Sequence, residues 1–443
     1  MAGCRSFHTV CFNLYTHISS ASRSSRSMAN VVESRIFAVE SANNSPYDQP
    51  FYFSSKDKAN LVSSGTSNVW SFLAQGGYAH SLCVTTSHRV QAARLHKSLG
   101  KKLTEILPGI PIVKLLSYIP GNLHGSLQRG FLILDPQRHP DLQNTLHSLL
   151  RENQQNIQLC TYTKEKSRVW QSQWEVNGQS KEMDRSEVVT VNGPKPSPFV
   201  EILRGSAVYS SLQDVLSVLK ESSKVIPEAE KLLDFLDLST FPKKGSNPVI
   251  VIEGLDATGK TTLTESLKQH LNAALLRSPP DSISQWRKIF DEETSLIKRA
   301  YYALSNYVAA VDIAKASEVS PVIVDRFWHS TAAYAIATEI GGGIQNLPDH
   351  HHIIYHWPDD LLKPDLILFL TVSDEERIRR IRNRGLEETQ EEKELEANNL
   401  FRQKVEEAYR RMENPGCVVI DAGDSREAVL NKALSIIKRH CSI

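Results

Sequence analysis

A dense group of phosphate-binding residue types follows the apolar stretch Val249–Ile252. The segment Gly254–Thr261 reads GLDATGKT and fits the pattern G-x-x-x-x-G-K-[ST], in which successive backbone N–H groups point inward at phosphate oxygens. In this pattern Lys260 pairs with the β- and γ-phosphates, and the hydroxyl of Thr261 is a ligand of Mg²⁺. A helix that begins near Thr261 adds its positive N-terminal end. The spacing predicts a site for ATP and Mg²⁺, with the binding residues Gly254, Leu255, Asp256, Ala257, Thr258, Gly259, Lys260, Thr261 and Thr262.

Asp325 and Arg326 follow a second apolar stretch, Val322–Val324. A carboxylate at the end of a strand beside the first would hold the metal and its water shell, so Asp325 joins Thr261 as a predicted metal residue. An arginine at this place would face a second anion rather than the γ-phosphate of ATP. The alternative is a solvated pair of charged residues at the end of a strand.

Five arginines lie in the segment Glu376–Gly385, which reads ERIRRIRNRG. A mobile segment of this kind could bring several guanidinium groups over the phosphates and stabilise charge on the transferring phosphoryl group. The glutamate-rich stretch that follows suits a solvated, hinged lid, whereas the alternative is a charged helix surface without a catalytic role. The predicted catalytic residues are Lys260, Asp325, Arg380, Arg382 and Arg384.

Alternating strand and helix patterns predict how these residues are positioned. Short apolar runs typical of buried parallel strands occur at Val249–Glu253, Val322–Val324, Leu366–Val372 and Val418–Ile420. Capping boxes at Ser373–Glu376 and Asp424–Glu427 open helices between and after them. We therefore predict an α/β fold of the P-loop NTPase type for residues 249–443, with helices on both faces of a parallel sheet. Such sheets bind ligands beyond the carboxyl ends of their strands.

The N-terminal half of the chain gives fewer signals. Residues 1–35 are rich in Arg and Ser, with no acid before Glu33, which is typical of a mitochondrial transit peptide and predicts a matrix location. The alternatives are an N-terminal tail without a targeting function and an upstream extension that precedes a start at Met28. Residues 36–236 are predicted to form a separate α+β domain of unknown type, with strands at Pro111–Val113 and Phe131–Leu134 and a helix at Gln91–Leu107. Residues 237–248, rich in Pro, Gly, Ser and Lys, are the predicted linker.

Composition argues against several classes of protein. The chain of 443 residues has 51 basic and 50 acidic side chains, so it lacks the basic excess that is usual in proteins with a broad nucleic-acid interface. No apolar run approaches the ~18–20 residues of a membrane span. The six cysteines are scattered without a C-x-x-C motif, which indicates reduced thiols in an intracellular compartment. We expect small-molecule nucleotides as partners.

Together these motifs resemble the thymidylate kinase family over roughly residues 247–443. The resemblance rests on Gly254–Thr261, Arg277-Ser-Pro279, Asp325-Arg-Phe327, Ser330, Tyr334, Lys363-Pro-Asp365 and the arginine run that ends at Gly385. It implies ATP- and Mg²⁺-dependent phosphorylation of a pyrimidine nucleoside monophosphate, and family kinases are commonly homodimers. It places Asp256 near the sugar and α-phosphate of the acceptor, Arg277 and Arg326 on that phosphate, and Tyr334 against the base. The implied substrate-binding residues are Asp256, Arg277, Tyr307, Arg326, Ser330 and Tyr334.

Two departures from the family pattern bear on mechanism and acceptor. Ala257 stands where some members have a catalytic arginine, which gives more weight to the lid arginines. Ala303 and Tyr307 stand where thymidylate kinases typically have the phenylalanine and arginine of F-S-A-N-R. A site discriminates through paired polar groups, so this loss favours UMP, CMP and their deoxy forms over thymidylate.

The expected role is supply of mitochondrial nucleotide pools, since the long N-terminal extension is similar to that of a mitochondrial family member. Thymidylate kinase activity stays open as an alternative. A nucleotide-binding regulatory protein with an inactive kinase site is the alternative from another class.

Two further features have simpler interpretations. His350–His352 could bind zinc, but the neighbouring glycines and Trp357-Pro358 favour a mobile surface loop. Asn398–Met412 has apolar residues on one side, which predicts a helix that packs against the core.

Overall fold

Two sheets organise the part of the chain that the computed structural model describes. That part comprises residues 34–40, 50–55, 70, 73, 77–153, 155–177, 179–234, 243–384 and 398–441, and the chain from Ser34 onward forms one compact unit. Residues 1–33 of the predicted transit peptide and 237–242 of the predicted linker lie outside the described residues.

The N-terminal sheet is a closed antiparallel barrel with the strand order β1-β2-β8-β7-β6-β3-β5-β4. Its strands are β1 (Ile36–Val39), β2 (Phe51–Ser55), β3 (Tyr78–Val84), β4 (Ile112–Tyr118), β5 (Gln128–Asp135), β6 (Ile157–Glu165), β7 (Arg168–Asn177) and β8 (Gln179–Val191). Aromatic rings pack inside it, and Phe53 lies 4.9 Å from Phe37 and 5.5 Å from Tyr162 between ring centroids. Barrel closure was not predicted, because buried polar residues such as His80 and Gln171 weaken the alternation of apolar and polar side chains.

Helices pack around the barrel and towards the second sheet. They are α1 (Arg89–Ile106), α2 (Leu123–Ser126), α3 (Leu142–Glu152), α4 (Pro198–Glu201), α5 (Leu212–Ser222) and α6 (Pro227–Asp234). The predicted helix at Gln91–Leu107 is confirmed as α1, and the two predicted strands are confirmed within β4 and β5. The α+β assignment of this region is therefore confirmed.

The C-terminal sheet is fully parallel, with the order β10-β11-β9-β12-β13. Its strands are β9 (Val249–Gly254), β10 (Ala274–Arg277), β11 (Val322–Asp325), β12 (Leu366–Thr371) and β13 (Val418–Asp421). The helices are α7 (Lys260–Leu271), α8 (Arg287–Asp291), α9 (Ser295–Val319), α10 (Trp328–Glu339), α11 (Asp374–Arg384), α12 (Asn399–Arg411) and α13 (Arg426–Cys441). The predicted fold class is confirmed. The edge strand β10 was not predicted, because only four half-exposed residues form it.

The two halves share one apolar cluster, in which α5 of the N-terminal half packs along α9. Tyr209 donates its buried hydroxyl to the carbonyl oxygen of Leu296, at 2.8 Å, across this contact. The described end of the predicted linker lies against the C-terminal half, since Lys244 pairs with Asp365 at 2.5 Å. The domain boundaries themselves stay predictions. Among the described helices, none combines the length and the apolar character of a membrane span.

Candidate active site

The phosphate loop between β9 and α7 contains three residues with left-handed backbone conformations. Gly254 and Gly259 have φ values of +148° and +98°, which glycine adopts without strain. A Cβ atom at Gly254 would lie 2.7 Å from the carbonyl oxygen of Leu370, so the loop passes β12 too closely for a side chain. Ala257 has φ of +63° despite its Cβ atom, and strained positions of this kind cluster at ligand-binding loops.

Lys260 begins α7, and its side chain turns back over the loop. Its Nζ donates to the carbonyl oxygen of Leu255 at 2.7 Å and lies 3.8 Å from Oδ1 of Asp256. Burial and the nearby charge of Arg326 lower the pKa of Lys260 to about 8, although neighbouring carboxylates oppose this shift. Added phosphate oxygens would favour the charged amine again, so the site is suited to an anionic ligand.

A cleft of about 480 Å³ opens on the phosphate loop and extends towards α11 and the turn after β13. Arg380 borders it: Nη1 donates to the carbonyl oxygen of Thr258 at 3.2 Å, and Nη2 donates to that of Ala422 at 2.8 Å. Glu376 accepts from Nε of the same guanidinium at 2.6 Å. These contacts hold one arginine of the predicted lid beside the phosphate loop.

The other two lid arginines are placed differently. Arg382 is exposed on α11. Arg384 ends that helix, but its side chain and residues 385–397, the rest of the predicted lid, lie outside what the structure describes. Of the three predicted catalytic arginines, the structure brings Arg380 to the phosphate loop.

Thr261 and Asp325 line one cleft beside the phosphate loop. Strand β11 pairs with β9, and Asp325 stands opposite Ile252, close to the start of the loop. Among the described residues, Oδ1 of Asp325 is buried and has no hydrogen-bond partner. A hydroxyl and a carboxylate are oxygen ligands of the kind that Mg²⁺ prefers, so the two residues fit this ion.

A second pocket, of about 270 Å³, lies on the other side of Asp256. Arg326, with φ of +62°, donates from Nη2 to Oδ1 of Asp256 at 2.6 Å and from Nη1 to Ser330 at 3.3 Å. The guanidinium carbon lies 6.0 Å from the ring centre of Tyr334. Because the same Asp256 oxygen lies 3.8 Å from Nζ of Lys260, the two predicted anion sites share one carboxylate.

The buried carboxylate of Glu253 joins the loop strand to the second pocket. It accepts hydrogen bonds from the backbone N–H of Phe327 at 2.9 Å, from Ser330, and from the hydroxyl of Tyr409 at 3.0 Å. Burial raises the pKa of Glu253, while these donors and Arg326 lower it in part. From the sequence, Glu253 was predicted only as the end of a strand. Its hydrogen-bond partners come from the start of α10 and from α12, which are distant in the chain.

Two predicted substrate residues do not reach the second pocket. Arg277 is exposed, pairs with Asp281, and lines the cleft of Thr261 and Asp325 instead. Tyr307 donates its hydroxyl to Oδ1 of Asp360 at 2.6 Å, and the other oxygen of Asp360 accepts from the N–H of Leu212 at 2.8 Å. Tyr307 thus lies in the contact between the two halves of the chain.

Sequence reasoning missed Arg287, Arg299, Tyr302 and Thr331, which line the second pocket. Arg299, Tyr302 and Asn306 follow the spacing i, i+3, i+7 along α9, so they share one face of the helix. Asn306 connects this face to the rest of the pocket through hydrogen bonds with Thr331 at 3.1 Å and Ser278 at 2.8 Å. The sequence signal for these pocket residues was a stripe of polar side chains along a helix whose middle part is mostly apolar. Tyr307 is about 100° from Asn306 around the helix axis, which explains why it points elsewhere.

Two predictions remain, for the histidines at His350–His352 and for the helix at Asn398–Met412. His351 pairs with Glu413 at 2.6 Å and His350 lies 3.7 Å from Glu407. No group of His, Cys, Asp and Glu within the described ranges has the arrangement of a metal site. The predicted core-packing helix is confirmed as α12, since Val405, Ala408 and Tyr409 are buried.

Sequence comparisons agree with this geometry. The thymidylate kinase family model matches residues 252–433. The chain is 49% identical over 378 residues, which cover 82% of this chain and 84% of the relative, to "UMP-CMP kinase 2, mitochondrial" from Homo sapiens. It is 27% identical over 201 residues to the probable thymidylate kinase 1 of Saccharolobus solfataricus, covering 43% of this chain and 97% of that protein. A solved thymidylate kinase from Candida albicans has 22% identity and a TM-score of 0.34, and covers 44% of this chain and 92% of that chain.

A phosphate loop and a second arginine-lined pocket at one sheet edge are typical of P-loop nucleoside monophosphate kinases. The chain belongs to the thymidylate kinase family, an enzyme family of this class. The region aligned with the human relative is longer than residues 249–443, so it includes part of the N-terminal half as well.

Proposed function

We propose that this protein transfers the γ-phosphoryl group of ATP to UMP, CMP and their deoxy forms. The observation that carries the proposal is the shared carboxylate of Asp256, which lies 3.8 Å from Lys260 and 2.6 Å from Arg326. A cation of the donor loop and a cation of the acceptor pocket thereby lie on either side of one carboxylate. The 49% identity to a protein named UMP-CMP kinase supports this choice of acceptors.

In this mechanism, positioning and charge stabilisation account for the catalysis. The phosphate loop and Lys260 hold the β- and γ-phosphates, and Arg326 holds the α-phosphate of the acceptor. That phosphate is already deprotonated at neutral pH, so no protein side chain has to act as a general base. Arg380, which lies over Thr258, stabilises negative charge on the moving phosphoryl group. Mg²⁺, held by Thr261 and Asp325, would neutralise charge on the phosphates.

The acceptor pocket favours pyrimidines, and one observation favours uracil and cytosine over thymine. The volume of about 270 Å³ suits a single-ring base of any of the three kinds rather than a purine. Tyr307, at the position of the family's base-edge arginine, contacts Asp360 instead of the pocket, so the thymine-reading group of thymidylate kinases has no counterpart there.

An acceptor panel tests the proposal. Purified full-length protein should phosphorylate UMP, CMP, dUMP and dCMP in the presence of ATP and Mg²⁺, with lower kcat/KM for dTMP. A preference for dTMP would establish the thymidylate kinase alternative. Equal background rates in the wild type and in Lys260→Ala with every acceptor would favour the nucleotide-binding regulatory protein.

The mitochondrial matrix is the proposed location, with residues 1–35 as the transit peptide and 36–236, 237–248 and 249–443 as domain, linker and kinase domain. The human relative is named as a mitochondrial protein, which supports a mitochondrial location for this chain. A fusion of residues 1–35 to a fluorescent protein should enter mitochondria and lose the segment by cleavage. A diffuse cytosolic signal would contradict the targeting proposal. A homodimer is also proposed, and light scattering of the purified protein would test it.

A further inference from the structure

Arg299 is a buried arginine of the acceptor pocket to which the family motifs assign no role. Arg299 is 7% exposed. Its Nη2 donates to the hydroxyl of Thr338 at 3.0 Å and to the carbonyl oxygen of Tyr334 at 3.4 Å. Within the described residues, its Nε is buried without a hydrogen-bond partner. A buried donor without an acceptor is costly, so this atom is suited to a ligand in the pocket.

Arg299 and Arg326 line the acceptor pocket from different elements. Arg326, immediately before α10, donates to Asp256 beside Lys260. Arg299, on α9, contacts the C-terminal half of α10 at residues 334 and 338, whereas Asp256 of the phosphate loop lies at the start of that helix, next to Arg326. An acceptor with its phosphate at Arg326 and Asp256 would therefore have the rest of the pocket, including Arg299, available to its base.

The chemistry of a guanidinium suits the group that uracil and cytosine have in common. Arginine only donates hydrogen bonds. The O2 carbonyl of a pyrimidine accepts hydrogen bonds in both bases, whereas the substituent at C4 differs between them. A donor directed at O2 would therefore accept both bases and would account for an enzyme that acts on both UMP and CMP.

Two cations of the N-terminal barrel lie close to the C-terminal end of α10. Lys114 on β4 and Arg129 on β5 line a small cavity together with Glu339, the last residue of α10. Burial raises the pKa of Glu339, but the charge of Lys114, a contact with the Ser295 hydroxyl, and the charges of Arg129 and Arg299 together lower it below its ordinary value. Glu339 is therefore a carboxylate that interacts with two cations of the barrel and with Arg299.

The N-terminal half also contacts the backbone just before α9, which contains Arg299, and just after α10, which Arg299 contacts. Glu40 at the end of β1 accepts from the N–H of Gly341, just after α10, at 3.0 Å. Lys97 on α1 donates to the carbonyl oxygen of Glu292 at 2.6 Å, in the turn that leads into α9. The ends of α9 and α10 that support Arg299 are thus attached to the N-terminal half.

We propose that Arg299 donates to the O2 carbonyl of the acceptor base, and that Lys114 and Arg129 of the barrel are positioning residues for it. These two cations balance the charge of Glu339, so Arg299 stays directed into the pocket. Without them, Glu339 would attract the guanidinium of Arg299 away from the acceptor. This inference rests on the proposed function and gives the barrel a part in acceptor binding.

The first test replaces Arg299 itself in the full-length protein. Arg299→Met should raise the KM for UMP and for CMP by roughly tenfold or more, with the KM for ATP within about twofold of wild type. Lys102→Met is the matched control, because Lys102 pairs with Glu152 at 2.6 Å on the outer surface of the barrel. Unchanged acceptor KM values in Arg299→Met would overturn the role of Arg299.

The second test separates positioning from general support of the fold. Lys114→Met should raise the acceptor KM by roughly fivefold, and Glu339→Gln added to it should restore the KM to within about twofold of wild type. A role in stability alone would lower the amount of folded enzyme, and with it the apparent kcat, without changing the acceptor KM. Arg129→Gln is the substitute if Lys114→Met fails to fold.

An acceptor KM that is unchanged in both barrel variants, or unrescued by Glu339→Gln, would refute the positioning role. Failure of the proposed function gives a different result, because the wild type would then phosphorylate neither UMP nor CMP. In that event, calorimetric titration of UMP into wild type and Arg299→Met still tests Arg299, and equal affinities would contradict its assignment.

Discussion

The donor loop and the acceptor pocket adjoin at the carboxylate of Asp256 but are built in different ways. Nine consecutive residues, Gly254–Thr262, supply most of the donor loop, and backbone groups at left-handed positions shape it. The acceptor pocket takes its lining from separate segments that include Ser278, Arg287, Arg299 and Arg326. Backbone conformation is encoded locally, whereas a pocket of side chains depends on how distant elements pack.

This contrast explains where changes of specificity can occur. A phosphate is the same in every nucleotide, so a loop of N–H groups and one lysine serves any donor or acceptor chemistry. The base differs between nucleotides, and side chains on α9 and α10 can change without disturbing the loop. Glu253 connects the two regions, because it ends the loop strand and accepts hydrogen bonds from Phe327 and Ser330 beside Arg326.

The largest expected effect lies in the donor loop. Lys260→Ala should lower kcat/KM by roughly 10³-fold, since it removes the charge that stabilises the transferring phosphate. Lys432→Ala is the matched control, because Lys432 is exposed on α13 and lines none of the clefts described above. Steady-state kinetics with ATP and UMP would measure both. A loss of less than tenfold in Lys260→Ala would contradict the assignment of the donor loop.

Alanine replacements of the lid arginines Arg380 and Arg382 should lower kcat to different extents. Arg380→Ala should lower kcat by roughly 10²-fold or more, because its guanidinium contacts the backbone of Thr258 in the loop. Arg382→Ala should stay within about threefold of wild type, because Arg382 is exposed. Single-turnover rates at saturating ATP would compare the two variants. The reverse order would indicate that lid closure brings a different arginine to the phosphates.

The pH dependence of ATP binding should report Lys260. The pKa of this lysine in the free protein is lowered to about 8, and the protonated amine is the form that attracts phosphate. Affinity for ATP should therefore be nearly constant from pH 6.5 to 7.5 and fall above about pH 8, approaching roughly tenfold per pH unit. Fluorescence titration of a labelled ATP analogue would follow this, and Lys260→Arg should remove the dependence. A flat profile in the wild type would contradict the lowered pKa.

The smallest expected effect concerns Tyr307. Tyr307→Phe removes the hydrogen bond to Asp360 and should lower the free energy of unfolding by about 1 kcal/mol. The acceptor KM should stay within about twofold of wild type, because Tyr307 does not line the pocket. Thermal unfolding and UMP kinetics on the same preparation would test both statements. A large rise in KM without a loss of stability would return Tyr307 to the acceptor site.

The strands of the parallel sheet could be predicted closely from the sequence. The prediction Val249–Glu253 became β9 at Val249–Gly254, and Val418–Ile420 became β13 at Val418–Asp421. Continuous apolar runs are the signature of strands that are buried on both faces. The barrel could not be predicted in this way, because its lumen contains polar residues such as Gln171, which donates to Tyr162, and because its closure depends on pairing between β1 and β4, far apart in the chain.

The sequence by itself determined the phosphate loop, the metal-binding residue types and the parallel sheet, since each follows from residues that are close together along the chain. Only the tertiary structure decided which arginines line the acceptor pocket. Arg277 matched the family motif and Tyr307 stands at a position of it, but both lie outside the pocket, whereas Arg299 matched no motif and lines it. The physical reason is that a side chain on a long buried helix is directed by the packing on each of its faces. In α9 one face packs against the N-terminal half and another lines the pocket.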